Sequence, residues 1–192
     1  MEQILWINAC PREQSRTLEL AHHLLGKLEG SVDELPIFEE NLLPLNGKTL
    51  ALRDKMIASG KLDHPLFKYA RQFAQADTVV IAAPFWDLSF PSALKVWLEY
   101  VMALNITFRY TEEGSPVSLC KAKRLYYIST AGGPIVPAHL GFDYVNALAK
   151  GYFGIEETAC FTAEHLDMIG SDVDAILAQA KAEIDAYWGD RT

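Results

Sequence analysis

Five strand-like runs alternate with segments whose apolar residues recur every three or four positions, and this alternation narrows the possible folds most. The runs cover residues 3–8 (QILWIN), 31–36 (SVDELP), 78–83 (TVVIAA), 124–130 (RLYYIST) and 155–162 (IEETACFT). The continuous, β-branched run at 78–83 has no polar face, as expected of a strand covered on both sides. Strands joined by helices pair in parallel, and right-handed crossovers put those helices on both faces. The expected class is therefore α/β, a doubly wound five-stranded parallel sheet.

The helical segments carry their own punctuation. From Ser15, a stripe of Leu18, Ala21, His22, Leu25 and Leu28 predicts a helix that Gly30 stops. Residues 37–46 read as a loop, and 50–58 and 65–76 as helices. Ser89 is expected to cap a helix with Pro91 in its first turn, running to about residue 104. Residues 106–110 and 117–119 form a small hairpin insertion across Glu112-Glu113-Gly114. Residues 139–153 are helical until Gly154, and Ser171 or Asp172 caps a last helix to about residue 188.

A length of 192 residues suits one domain spanning 1–192, and no repeat or linker divides it. The net charge of −8 argues against a nucleic-acid partner. It also requires any phosphate ligand to be held by donors placed locally. Cys10, Cys120 and Cys160 form no CxxC pair, so neither a disulfide framework nor a zinc site is expected. A reducing cytoplasm is the expected compartment. The first residues lack a signal peptide's basic region, and no apolar run is long enough to span a bilayer, so no membrane partner is expected.

In a doubly wound sheet, ligands bind beyond the carboxyl ends of the strands, so the segments just after strands matter most. After the first strand, residues 10–17 combine a helix start with Ser15, Thr17, Arg12 and Arg16, a set suited to a phosphate. An ordinary helix cap explains the same residues equally well. The segment is neither a GxxxxGK loop nor a GxGxxG turn. After the third strand, Pro84-Phe85-Trp86-Asp87-Leu88 supplies aromatics that can wall a flat ring, or that simply pack a buried turn. After the fourth, Thr130-Ala131-Gly132-Gly133 gives glycines that let a ligand edge approach the backbone, or that merely make the turn. One rim holding a phosphate cup beside a flat slot accounts for all three segments. That is the outline of FMN.

Further along the chain, residues 107–114 (TFRYTEEG) closely resemble the Thr-Phe-Arg-Tyr-Thr-Glu-x-Gly run of the FMN-dependent NADH:quinone oxidoreductase and azoreductase family. Residues 10–17, 83–88 and 130–133 resemble the family's other segments in the same order, and the likeness covers nearly the whole chain. The resemblance implies a flavodoxin-like sheet of strand order 2-1-3-4-5. It implies FMN phosphate contacts from Cys10, Ser15, Arg16 and Thr17. It places Pro84, Phe85, Trp86, Asp87 and Leu88 around the ring, with Thr130, Ala131, Gly132 and Gly133. It also implies a homodimer with sites at the subunit interface. This chain departs from the pattern in three places. Its first loop is one residue shorter with Cys10 at a hydroxyl position, Asp87 stands where an amide is common, and Pro134-Ile135-Val136 follows Gly133.

The implied reaction takes hydride from NADH or NADPH to the flavin, then two electrons to a quinone or azo acceptor in the same slot, a ping-pong cycle. No side chain is needed as a general acid, and the amides of Gly132 and Gly133 are the candidate donors to charge on the ring. A flavodoxin-type FMN carrier without direct NAD(P)H use is the main alternative. A hydrolase using Ser89 or Ser15 with His139 is a second, although no GxSxG elbow is present, and a non-catalytic binding module is a third. His165 is weighed beside His139 and assigned no role.

Overall fold

All five residues of the strand Thr78–Ala82 are buried, and the sheet is built outward from them. The structure, a computed structural model, describes residues 1–189. In chain order, β1 is Gln3–Asn8, α1 Arg16–Leu25, β2 Ser31–Pro36, α2 Gly47–Ala58, α3 Lys68–Gln75, β3 Thr78–Ala82 and α4 Ser92–Val101. The hairpin β4 (Phe108–Tyr110) and β5 (Pro116–Ser118) follows, then β6 Arg124–Thr130, α5 Phe142–Gly151, β7 Glu157–Ala163 and α6 Val173–Gly189. The main sheet has the order β2-β1-β3-β6-β7. Every pair in it is parallel. With the hairpin strands left out of the count, this is the expected 2-1-3-4-5.

Strand alternation divides the core between two layers. Leu5, Ile7, Val79, Ile81, Leu125 and Tyr127 meet Phe73 of α3, Trp97 and Leu98 of α4, and Val145 and Ala149 of α5. Ile4, Trp6, Val80, Ala82, Tyr126 and Ile128 face Leu20 and Leu24 of α1 and Leu177 and Ile184 of α6. Each large side chain so buried contributes about 1.5–3 kcal/mol of transfer free energy. The run 107–114 supplies β4 and the turn of the antiparallel β4–β5 hairpin. Thr107 anchors it by donating to the Val101 carbonyl at 2.8 Å.

Several boundaries differ from the sequence reading. α1 ends at Leu25 with Gly26 as its C-cap, not at Gly30. Gly30 serves the entry into β2, where an added Cβ would lie 2.6 Å from the Glu2 carbonyl. Ser89 does not cap α4, whose N-cap is Pro91. Instead Ser89 closes a tight turn with Trp86, each main-chain N–H meeting the other's carbonyl at 2.6 and 2.8 Å. The helices expected at 65–76 and 139–153 each begin as a separate 3₁₀ turn, Pro65–Phe67 and Ala138–Leu140. α5 ends at Gly151 with Tyr152 as its C-cap, not at Gly154, which follows in the loop at φ +64°. The final strand starts at Glu157 because the Ile155 N–H turns back to the Ala149 carbonyl. Asp172 caps α6, accepting from the Ala175 N–H at 3.0 Å.

Candidate functional site

At the carboxyl ends of the strands, the loops after β1, β3, β6 and β7 enclose a cleft of about 650 Å³. It is lined by Pro11, Arg12, Gln14, Ser15, Arg16 and Thr17, by Pro84, Phe85, Trp86 and Asp87, by Thr130, Ala131 and Gly132, and by Leu166 and Asp167. Three segments singled out from the sequence therefore meet on one rim, and a fourth, the loop after β7, joins them.

One end of the cleft is the start of α1. Ser15 sits at the N-cap in an extended conformation, yet its hydroxyl makes no capping bond. The first-turn amides thus lack a side-chain cap and open onto the cleft with the positive end of the helix dipole. Thr17 is fully buried, and its hydroxyl lies 2.7 Å from that of Thr130. It is a strut between the cup and the turn after β6 rather than a hydroxyl held open for a ligand. Cys10 lies beneath the cup and does not line the cleft; its thiol points to the Ala82 carbonyl at 3.6 Å. Burial pushes that thiol up to about 11, against the opposing pull of hydrogen bonds from Ser15 and Thr17. Burial thus sets this thiol apart from one activated by a helix end.

The opposite wall is the loop after β3. Asp87 (φ 49°) and Leu88 (φ 68°) form the two-residue tip of the Trp86–Ser89 turn, both in the left-handed region that favours glycine. This geometry turns Asp87 to the cleft and Leu88 outward, where it is exposed and lines nothing. Trp86 is 38% exposed, and the Arg12 guanidinium stands 5.9 Å above its ring.

The third side is made by two loops fastened together. The N–H groups of His165, Leu166 and Asp167 donate to the carbonyls of Gly133, Ala131 and Gly132 at 3.0–3.1 Å. A Cβ on Gly132 would fall 3.0 Å from Asp167 Cβ and Cγ. The neighbour that a Cβ would displace there is thus a carboxylate side chain of this chain. Gly133 has open space around its Cα and does not line the cleft. Arg16 spans the two sides, donating from Nη1 to Asp167 Oδ1 at 2.7 Å and to the Leu166 carbonyl at 3.3 Å.

Of the expected residues, ten line the cleft, while Cys10, Leu88 and Gly133 do not. Sequence reasoning missed Leu166 and Asp167, although the rule that ligands sit after strands extends to the loop following β7. The Ser89 hydroxyl donates to the Leu140 carbonyl at 2.5 Å. Neither His139 nor His165 lines the cleft, so no nucleophile–base pair is assembled there.

A parallel sheet of this order, with an uncapped helix start beside an aromatic wall at its switch point, defines the flavodoxin-like class. The model of a family described as having a flavodoxin-like fold matches residues 2–188. An FMN-dependent NADH:quinone oxidoreductase of Coprothermobacter proteolyticus is 35% identical over 198 residues, covering 95% of this chain and 96% of that protein. A second protein of that name, from Clostridium acetobutylicum, is 37% identical, covering 92% of this chain and 93% of that one. In fold, the chain matches an azoreductase from Bacillus anthracis with a TM-score of 0.81 at 24% identity, covering 96% and 97% of the two chains. The chain belongs to the family of the FMN-dependent NADH:quinone oxidoreductases, within the flavodoxin-like fold.

Proposed function

We propose that this chain holds FMN in the rim cleft and passes two electrons from NADH to a quinone or azo acceptor, donor and acceptor using one slot in turn. The observation that carries this reading is the uncapped start of α1, opening onto a cleft whose far wall is Phe85 and Trp86. The residues fit the cofactor on three counts. Helix amides with Arg16 suit a phosphate, the volume lies in the range of small-molecule sites, and an aromatic wall faces a glycine-bearing turn.

In this reading Ser15, Arg16 and the first-turn amides of α1 hold the phosphate. Pro84, Phe85, Trp86 and Asp87 bound one side of the ring, and Thr130, Ala131 and Gly132 the other. Cys10 and Thr17 act from below, by filling space and by bracing Thr130. FMN supplies the two-electron chemistry when bound. The protein orients the ring, keeps it against the turn, and offers the Gly132 N–H to charge on the ring edge. The Asp87 carboxylate opposes negative charge there and so lowers the reduction potential. The names of the relatives favour NADH over NADPH as donor, and a reductase over a carrier that does not use NADH.

The purified protein is expected to be yellow and to release FMN on denaturation, and anaerobic NADH is expected to bleach it rapidly. A protein left colourless after reconstitution with FMN would overturn the reading. Bound flavin that NADH does not bleach would replace it with the carrier.

We further propose that residues 1–192 act as one domain and assemble as a homodimer in the cytoplasm. Large apolar side chains left exposed near the cleft, Leu88, Val136 and Leu140, support a second copy. Three unpaired cysteines support a reducing compartment. Among the described residues, no helix is long and apolar enough to cross a membrane. Sedimentation at micromolar concentration tests the dimer, and a single species of monomer mass would remove it.

A further inference from the structure

The Arg16–Asp167 pair joins the helix that begins the phosphate cup to the loop after β7. On its own it would matter little, because its carboxylate is 71% exposed and isolated surface pairs confer little. Here both partners are placed in advance. Three main-chain hydrogen bonds fasten 165–167 to 131–133. Asp167 packs on the one residue of that turn whose Cβ would displace it. The Leu166 carbonyl accepts from the same Nη1 that meets the carboxylate. A guanidinium is a planar fork, and a fork gripped at one nitrogen keeps a fixed direction for the rest. Among the described residues, no hydrogen-bond partner is set against Arg16 Nη2 or Nε, so these donors remain for an anion at the start of α1.

We propose that Asp167 is a positioning residue. Acting through Arg16, it sets the preference of the cleft for a phosphorylated flavin over its dephospho form. The inference rests on the FMN reading above and goes beyond it by assigning a role to a loop outside the phosphate cup.

The test is fluorescence titration of the flavin-stripped protein with FMN and, separately, riboflavin. The readout is the ratio of the two dissociation constants. Wild type is expected to favour FMN. Asp167→Ala should reduce that preference about three- to fivefold, the scale of one exposed ion pair. Riboflavin affinity serves as the reference in the ratio, and a cooperative thermal melt reports that the variant is folded. Asp167→Asn keeps an acceptor for Nη1 and should retain the preference to within about twofold. Arg16→Ala should lose at least as much as Asp167→Ala, and adding Asp167→Ala to it should change nothing more. A preference unchanged or increased in Asp167→Ala, or a loss that persists without Arg16, would overturn the proposal while leaving the FMN reading intact. A wild type that binds both flavins equally would do the same. A wild type that binds neither would overturn the FMN reading itself.

Discussion

The two rims of the same sheet are built on opposite principles. At the amino rim the polar side chains satisfy one another. Glu2 takes both Thr78 and Arg124, and Arg124 Nε reaches Thr78 at 3.1 Å. Asp77 accepts the Gln3 N–H at 2.9 Å, and Tyr126 donates to Glu157 at 3.0 Å. At the carboxyl rim, α1 starts without a side-chain cap, Trp86 is partly exposed, and two adjacent non-glycine residues hold positive φ. At the amino rim, Glu2, Thr78 and Arg124 are taken up by one another. A rim that leaves helix amides and strained backbone unsatisfied is ready for a ligand. The direction of the chain decides which rim is which, because helices that follow parallel strands present their N-termini at the carboxyl ends.

The largest effect is expected where one residue serves both stability and site. Thr17→Val strands the buried Thr130 hydroxyl and should cost about 1–3 kcal/mol. Thermal melting should fall by several degrees, with weaker FMN binding alongside. An unchanged midpoint would mean that the strut carries no stress. Arg124→Ala should separate the rims, lowering the midpoint by about 2–4 °C and leaving flavin affinity untouched.

The pH dependence of that variant sharpens the contrast. Burial raises the Glu2 carboxyl, but hydrogen bonds from Thr78 and Arg124 outweigh it and hold the group below its ordinary 4.5. A carboxylate with a lowered folded value stabilises the protein above 4.5 and loses that contribution as pH falls below it. The acid decline in melting temperature should accordingly be shallower in Arg124→Ala than in wild type. A smaller effect, of opposite sign, is expected at the strained tip. Leu88→Gly relieves a positive φ without removing a cleft contact, and in protein diluted to the monomer it should raise the midpoint by about 1–3 °C. Smallest of all, Cys10 should resist iodoacetamide at pH 8 in the folded protein and react on unfolding, since it is buried and burial pushes its thiol up to about 11.

Much of this arrangement was readable from residue types. The all-apolar run through β3 and the helical stripe of α1 were legible because each encodes its environment within one turn or one pleat. The meeting of three loops followed from topology alone. One glycine and a serine were misread for a common reason: a residue's local habit did not reveal its distant neighbour. Gly30 looked like a helix stop but clears the Glu2 carbonyl. Gly132 was read as room for a ligand edge or as a plain turn, and the structure adds that its neighbour is the Asp167 side chain. Ser89 looked like a cap but closes a turn and ties it to Leu140.

The sequence by itself determined the order of strands and helices, their parallel pairing, and the end of the sheet at which chemistry can occur. Those properties follow from periodicity and chain direction, which neighbouring residues set among themselves. Only the tertiary structure decided which side chains reach the cleft. Thr17 meets Thr130 across 113 positions, and Arg16 meets Asp167 across 151. Contacts at such separation depend on how the layers pack and on strand register, and no local pattern of residues carries that information.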